Sequence, residues 1–540
     1  MSNSNAVDAL KAHAKQLLAL ARANDVTVIT ALRKSLPRLA KENDADFAAH
    51  IKLADVQHAI ATQRRVKSWA ELKRLVESTD PLRIQTERFL HAIFEDQKDR
   101  AKELLAAHPA ISKFNIHAAA AACDTQAVED FLQNDPSLAK AKAEPNNAEP
   151  LIYACGTPLH DAYAGMNEII VSLLLQSGGN PNTFILFNDG ERDAPIPALY
   201  FAANGNNVPA TRLLLEHGAN PNDGESIYHS AERNNRDCMA LLLKHGADIS
   251  SAHADWGNTP LYFIAGHKPF SRLCASSEQG MLWLLEHGAN PNVVSNNNEK
   301  NATSPTRAET PLHRIASYGK SVDVARMLVD HGAIIDLPRG DGRTAFVLAV
   351  RAVNELVATY LAEQGANATV LTPADRLVAE CLSGHEEHAR ALIAEFPTLM
   401  TTLSVEDKQT LALAAEEGRE NSVRVMASLG WDLSAEGAWG GSPLHHAAWH
   451  GNVSMTQLLV DLGAPVNFRD SSYGSSPLAW AAHGSVNGRP GHDDEYCAVT
   501  DILLRAGSTR EAAYNTWGEA PESLASKRVA RLLKERGFAS

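Results

Sequence analysis

Two short phrases alternate along this chain at a fixed interval, and that regularity restricts its fold more than any other feature. The first is Thr-Pro-Leu-His. It stands at Thr157-Pro158-Leu159-His160 and Thr310-Pro311-Leu312-His313, with near copies at Thr259-Pro260-Leu261-Tyr262 and Ser442-Pro443-Leu444-His445. The second is a Leu-rich run closed by Gly: Glu216-His217-Gly218-Ala219-Asn220-Pro221-Asn222 recurs verbatim from Glu286 to Asn292. The Thr slot and the closing Gly are 21 positions apart in Thr157–Gly178, Thr344–Gly365 and Ser442–Gly463. Degenerate copies keep that distance from Pro197 to Gly218 and from Glu225 to Gly246. Slots at 225 and 259, 310 and 344, 409 and 442, and 442 and 476 follow one another at 33 or 34 residues.

Each phrase has a physical task. A Thr or Ser hydroxyl caps the free N–H groups of a starting helix, and Pro suits the first helical position because its missing N–H had no partner there. Leu with the small pair Ala447 and Ala448 predicts a first helix that neighbours can approach closely. Leu213 to Leu215, Leu241 to Leu243 and Met327-Leu328 predict an apolar stripe on a second helix. Gly218, Gly246, Gly288, Gly332, Gly365 and Gly463 stand where that helix stops in a left-handed turn. Asn-Pro-Asn and Gly-x-Thr-Pro then supply turn residues for a hairpin-like connector. One such unit cannot bury its own apolar face, so units must stack.

A period of about 33 residues with a Thr-Pro-Leu-His-x-Ala core resembles the ankyrin repeat. The resemblance implies an all-α solenoid of helix-turn-helix units joined by β-hairpin-like connectors, over about residues 82–538, in roughly 13 units. Residues 1–81 lack the repeat and read as a helical leader, with helices over 7–23, 26–36 and 53–76, the last broken near Ser68. The first units are variant: His108-Pro109 and Asp135-Pro136 replace the Gly stop, and Glu395-Phe396-Pro397 does so in the unit near 373–400. The last unit, Ala520-Pro521 to Gly537, is polar, as a terminal cap requires. Leu53-Ala54-Asp55-Val56-Gln57-His58-Ala59-Ile60, followed by Ser68-Trp69-Ala70-Glu71-Leu72-Lys73, looks like the leader found before ankyrin units in many bacterial proteins, which implies a bacterial source.

In the ankyrin family, exposed positions on the connector and the first helix form a concave binding face. The resemblance therefore implies a scaffold or adaptor for another protein. The connector slot three before Thr holds Trp256, Trp439, Tyr473 and Trp517, each followed by Gly. Exposed first-helix slots hold His267, Tyr318, Trp449 and His450. Trp and Tyr are enriched at binding hot spots. The connector aromatics can equally pack on the next connector and steady the row; Trp449 and His450 have no such repeat-wide duty. The family's Thr-Pro-Leu-His histidine hydrogen-bonds backbone and orders connectors. Here it is His160, His313 and His445, exchanged for Tyr200, Tyr228, Tyr262 and Val347 elsewhere, which marks it as structural.

The net charge of −14 divides into +4 for residues 1–80 and −18 for the rest. An acidic array is a poor ligand for phosphate backbones, so nucleic acid is not the expected partner, and Arg64, Arg65 and Lys67 beside Trp69 read as a solvated helix face. No run of 18 apolar residues or signal segment is present, and the six cysteines are scattered, so a reduced, cytoplasmic, monomeric protein without cofactor or metal is expected.

Four insertions break the frame, at about 183–195, 266–279, 293–308 and 484–499. The last contains His492, Asp493, Asp494 and Glu495, and the alternative to a scaffold is a metal-dependent hydrolase with its site there. His385-Glu386-Glu387-His388 spaces its two His three apart, not four, and so is not the zinc-protease pattern. No phosphate loop, dinucleotide fingerprint or nucleophile elbow occurs, so catalysis is the lesser expectation.

Overall fold

The computed structural model describes residues 4–23, 26–33, 36, 39, 44–63, 69, 81–144, 146–188, 193–253, 257–266, 274–295, 308–319, 321–489 and 491–538. They form two compact units. Unit 1 comprises 1–7, 73–349 and 354–368; unit 2 comprises 8–72, 350–353 and 369–540. The fold is overwhelmingly helical, and thirteen pairs of consecutive helices follow one another among the described residues from Pro81–Phe94 and Lys98–Ala107 to Pro521–Leu524 and Lys527–Leu533.

Local chemistry explains the pairs. Thr259 Oγ1 accepts the Tyr262 N–H at 3.2 Å and starts the helix Pro260–Ala265. Thr310 with His313, and Ser442 with His445, form reciprocal boxes in which side chain and backbone of each partner meet. The second helices end as expected: Gly218, Gly246, Gly288, Gly332, Gly365 and Gly463 all lie at φ between +85° and +93°. In the variant units the prolines also stop the helix, and each then begins a short 3-10 turn, Pro109–Lys113 and Pro136–Lys140.

Stacking supplies the core. In unit 1, Ala118 to Ala121 are fully buried in the helix Ile116–Ala121, which packs on Pro150–Gly156. At Gly280 a methyl group would fall 1.8 Å from the Ala231 carbonyl oxygen, so the helix Cys274–Glu286 reaches its neighbour only because no Cβ is present. In unit 2, Ala447, Ala448, Ala481 and Ala482 are fully buried between successive first helices, and a continuous core runs from Leu377 to Phe538. The described leader residues form the helices Ser4–Arg22, Val26–Arg33, Asp44–His50 and Leu53–Gln63, the third of which the sequence reading missed. Residues 64–68 and 70–80 lie outside the described residues, and with them Arg64, Arg65 and Lys67.

Four expectations need correction. Thr157 does not open a helix. It terminates Pro150–Gly156, whose start is supplied by Glu149-Pro150, and 158–162 form turns. Its hydroxyl instead donates to the Ala121 carbonyl of the preceding unit at 2.7 Å. The slot at 409 falls inside Val405–Glu416, which is capped five residues earlier by Ser404. In the insertion at 183–195, Phe184–Asn188 pairs antiparallel with Asp193–Pro197. The segment 484–499 is mostly helix: Pro477–Asn487 runs on beyond the usual length, and Asp493, Asp494 and Glu495 form the first turn of Asp493–Arg505. There their charges favour the helix N-terminus.

Candidate functional site

Of the eight residues proposed for the binding face, five meet in one groove of unit 2. Trp439, Trp449, His450, Tyr473 and Trp517 all line a cavity of about 680 Å³. Trp256 and His267 lie outside the described residues. Tyr318 stands apart in unit 1: it is exposed at the end of Pro311–Ser317, where the Arg314 guanidinium lies 4.6 Å from the Tyr262 ring and 5.0 Å from its own.

The groove is built from four successive units of the array, with lining residues at Glu416, in 438–450, in 473–483 and in 515–524. Trp449 ends the helix Pro443–Trp449, and its carbonyl accepts the Tyr496 hydroxyl at 2.7 Å. The next first helix comes very close here; a Cβ on Gly484 would lie 2.4 Å from that same carbonyl oxygen. This contact fixes the Trp449 backbone while its ring stands edge-on to Trp480 at 6.0 Å and to His483 at 5.4 Å. Tyr473 lies 6.2 Å from Trp480 and 5.9 Å from Trp517. Tyr473 and Trp517, on successive connectors, therefore pack on one another, and both also line the cavity.

Trp439 differs. It is 69% exposed and sits at φ +56° in the turn Ala438–Gly440. A bulky residue in the left-handed region is a rare choice, and its cost points to a constraint beyond local folding.

Sequence reasoning missed Trp480, His446, His483, Glu416 and Glu519, which also line the groove. Trp480 and His446 occupy the same slot, four residues after Ser476 and Ser442, so the frame itself held a signal. Trp480 is nearly buried and donates its indole N–H to Asp470 at 3.0 Å, which fixes the floor of the cavity. Glu416 lies 3.6 Å from His446 Nδ1 and 3.9 Å from His450 Nε2. Glu519 accepts from the Asn515 amide at 2.8 Å. Burial holds His446 and His483 below the usual imidazole value, so both are neutral at pH 7.

The Thr-Pro-Leu-His histidine acts as a strut. His445 Nδ1 accepts the Ser442 N–H at 3.1 Å, which leaves Nε2–H to donate to the Ser475 carbonyl at 2.9 Å, thirty residues on. Burial lowers its pKa to about 4, and a second ring proton would face the Ser442 donor. Tyr228, in the same slot, gives its hydroxyl to the Asn258 carbonyl at 2.6 Å, again thirty residues on. Tyr262 instead reaches the Glu309 carboxylate at 2.9 Å. In these three units one donor of either chemistry thus ties the unit to the next connector.

The acidic run at 493–495 is engaged with protein groups. Ser526 Oγ donates to Asp493 at 2.5 Å, Arg528 pairs with Asp494, and His492 lies 3.0 Å from Glu495. These three carboxylates point to different partners and do not converge. Among the described residues one other trio brings metal-ligating atoms within 4.8 Å of one another: Glu380, His385 and His388. Both imidazoles share the Glu380 carboxylate, at 2.9 and 3.3 Å, and both are exposed. Among the described residues no helix is long and apolar enough to cross a membrane.

Comparison with known proteins agrees with this geometry. The family model "Ankyrin repeats (3 copies)" matches residues 159–253, 199–295, 272–372 and 411–488, more than half of the chain. Over 185 residues, 33% of this chain and 9% of that protein, the sequence is 26% identical to human SH3 and multiple ankyrin repeat domains protein 2. It is 25% identical to mouse Rabankyrin-5 over 231 residues, 41% of this chain and 18% of the relative. It is 30% identical to the E3 ubiquitin-protein ligase XBAT32 of Arabidopsis thaliana over 162 residues, 29% of this chain and 30% of the relative. The chain thus spans less than a third of the length of each of these relatives. They are animal and plant proteins, and the bacterial source expected from the leader finds no support in them. The solved human ASB11 ankyrin repeat domain is similar over 43% of this chain and all of that one, at 21% identity and a TM-score of 0.28. With its helix pairs, left-handed glycine stops and matching family model, this chain belongs to the ankyrin-repeat family.

Proposed function

We propose that this protein is an interaction scaffold or adaptor that holds another protein in the aromatic groove of unit 2, on the face that serves as the concave binding face in ankyrin arrays. We place it in the cytoplasm, as a monomer, with 1–81 as a leader and 82–538 as one array of about 13 units. The convergence of Trp439, Trp449, His450, Tyr473 and Trp517 on a single cavity carries this reading. Aromatic rings on a rigid backbone bury much area at small entropic cost, and such anchors are each worth about 2–4 kcal/mol at an interface. Among the described residues the lining holds two carboxylates and no Lys or Arg, which disfavours nucleic acid.

The test is quantitative affinity capture from cells with the wild-type chain and with Trp439→Ala plus Trp449→Ala. A set of proteins retained by the wild type and lost from the folded double variant supports the reading. Equal capture by both removes the groove as the binding surface.

A further inference from the structure

We propose that the groove of unit 2 selects a basic peptide segment, taking a lysine or arginine side chain between the rings of Trp449, Tyr473 and Trp517 with its charge toward Glu416 and Glu519. This deepens the interaction reading and rests on it.

Charge complementarity commits the site to this occupant. The faces of indole and phenol rings carry the negative end of the ring quadrupole and attract ammonium and guanidinium groups, most strongly where water is excluded. Three tryptophans besides Trp439 are not needed for an apolar ligand, for which Leu or Met would serve; Trp449, Trp480 and Trp517 here stand with Tyr473 around one space. Among the described residues the carboxylates of the lining are Glu416 and Glu519, and no Lys or Arg stands beside them. Burial disfavours the charged imidazolium at His446 and His483. Arg469, on the connector that carries Tyr473, donates to the carbonyls of Gly474 and Tyr514. Glu436, which accepts from Ser471 on the adjoining connector, adds a further negative charge close by. The wider surface agrees, because the array outside residues 1–80 carries −18. A cavity of about 680 Å³ exceeds one side chain, so the occupant is a segment of several residues.

The architecture already contains a small-scale precedent. In unit 1 Arg314 lies against the rings of Tyr262 and Tyr318 with Glu309 close to Tyr262. There the array supplies its own cation to a pair of rings. Among the described residues that line the groove of unit 2 there is no Lys or Arg.

The experiment is selection of displayed random dodecapeptides on the immobilised full-length chain. Affinities of the enriched peptides are then measured on the wild type, on Trp449→Ala plus Trp517→Ala, and on Glu416→Gln plus Glu519→Gln. Far-UV circular dichroism checks each fold, and the single variants Trp449→Ala and Trp517→Ala replace the tryptophan pair if that pair does not fold. Enriched peptides should share a Lys or Arg. Its exchange for norleucine or citrulline should weaken binding roughly tenfold or more, and the Gln pair should do the same. Peptides that need the tryptophans but carry no shared basic residue would overturn the cation assignment and leave the interaction reading standing. Peptides that bind the tryptophan variant as well as the wild type would overturn both. Failure to enrich any peptide overturns the present inference, and cellular capture then decides the broader one.

Discussion

Asp407 accepts a hydrogen bond from Arg351 at 2.7 Å, with both side chains almost completely buried. The same guanidinium reaches Asp375 at 2.8 Å. Both carboxylates also complete capping boxes, Asp375 with Thr372 and Asp407 with Ser404. One arginine therefore joins the starts of two successive first helices, in the stretch where the repeat signature is weakest. The units near 373–428 lack Thr-Pro-Leu-His, and an ion triad inside unit 2 takes over the tie that the histidine makes elsewhere.

Replacing Arg351 by Met leaves two buried carboxylates without their cation. Breaking a buried pair from one side costs about 3–5 kcal/mol. We expect that loss in denaturant unfolding, together with faster amide exchange in the helices Pro373–Ser383 and Val405–Glu416. Unchanged exchange in both helices would show that the triad contributes no stability.

A ladder of asparagines runs along the connectors. The Asn222 amide donates to the Gly246 carbonyl at 3.0 Å, and its oxygen accepts the Asp248 N–H at 2.7 Å. Asn182, Asn292 and Asn467 repeat the arrangement on Gly218, Gly332 and Gly507. Each amide thus satisfies the carbonyl of the next left-handed stop. Asn222→Ala removes two hydrogen bonds across a unit boundary; at this exposed position we expect a loss of about 1 kcal/mol, read from the denaturation midpoint.

Asp336 occupies the same slot but keeps only half of the bond, accepting the Asn367 N–H at 3.0 Å. A carboxylate has no donor for the Gly365 carbonyl. Asp336→Asn supplies one and should stabilise unit 1 by about 0.5–1 kcal/mol. A lower melting temperature in the variant would contradict this account of the ladder.

His229 gives unit 1 a pH dependence. Burial alone would lower its pKa, but hydrogen bonds to Glu225 and Glu232 outweigh burial and raise it to about 9. Its Nδ1 lies 2.9 Å from Glu232 and its Nε2 3.4 Å from Glu225. The folded chain therefore holds a proton that the unfolded chain gives up near pH 6.5. This stabilisation is complete below about pH 6.5 and is lost as the pH rises toward 9. His229→Gln should flatten the fall in melting temperature between pH 7 and 9.5; an unchanged slope would place the dependence elsewhere.

The sequence by itself determined the repeat, and for a physical reason. Capping, helix stops and small-residue packing are local requirements, so Thr310, Ser442, Ala447 and Gly463 announce their roles one residue at a time. Their spacing then fixes the stacked array, because no unit can bury its face alone. The tertiary structure decided what spacing cannot express. Thr157-Pro158-Leu159-His160 carries the full phrase yet forms a turn, because Glu149-Pro150 had already started the helix. Asp493 to Glu495 look like a ligand set on paper, but a helix N-terminus and three separate partners claim them. Trp480 and Glu416 join Trp449 and Trp517 only once four successive units stack, since residues a full repeat apart become neighbours through packing and not through sequence. The groove is a property of the stack, and so is its charge.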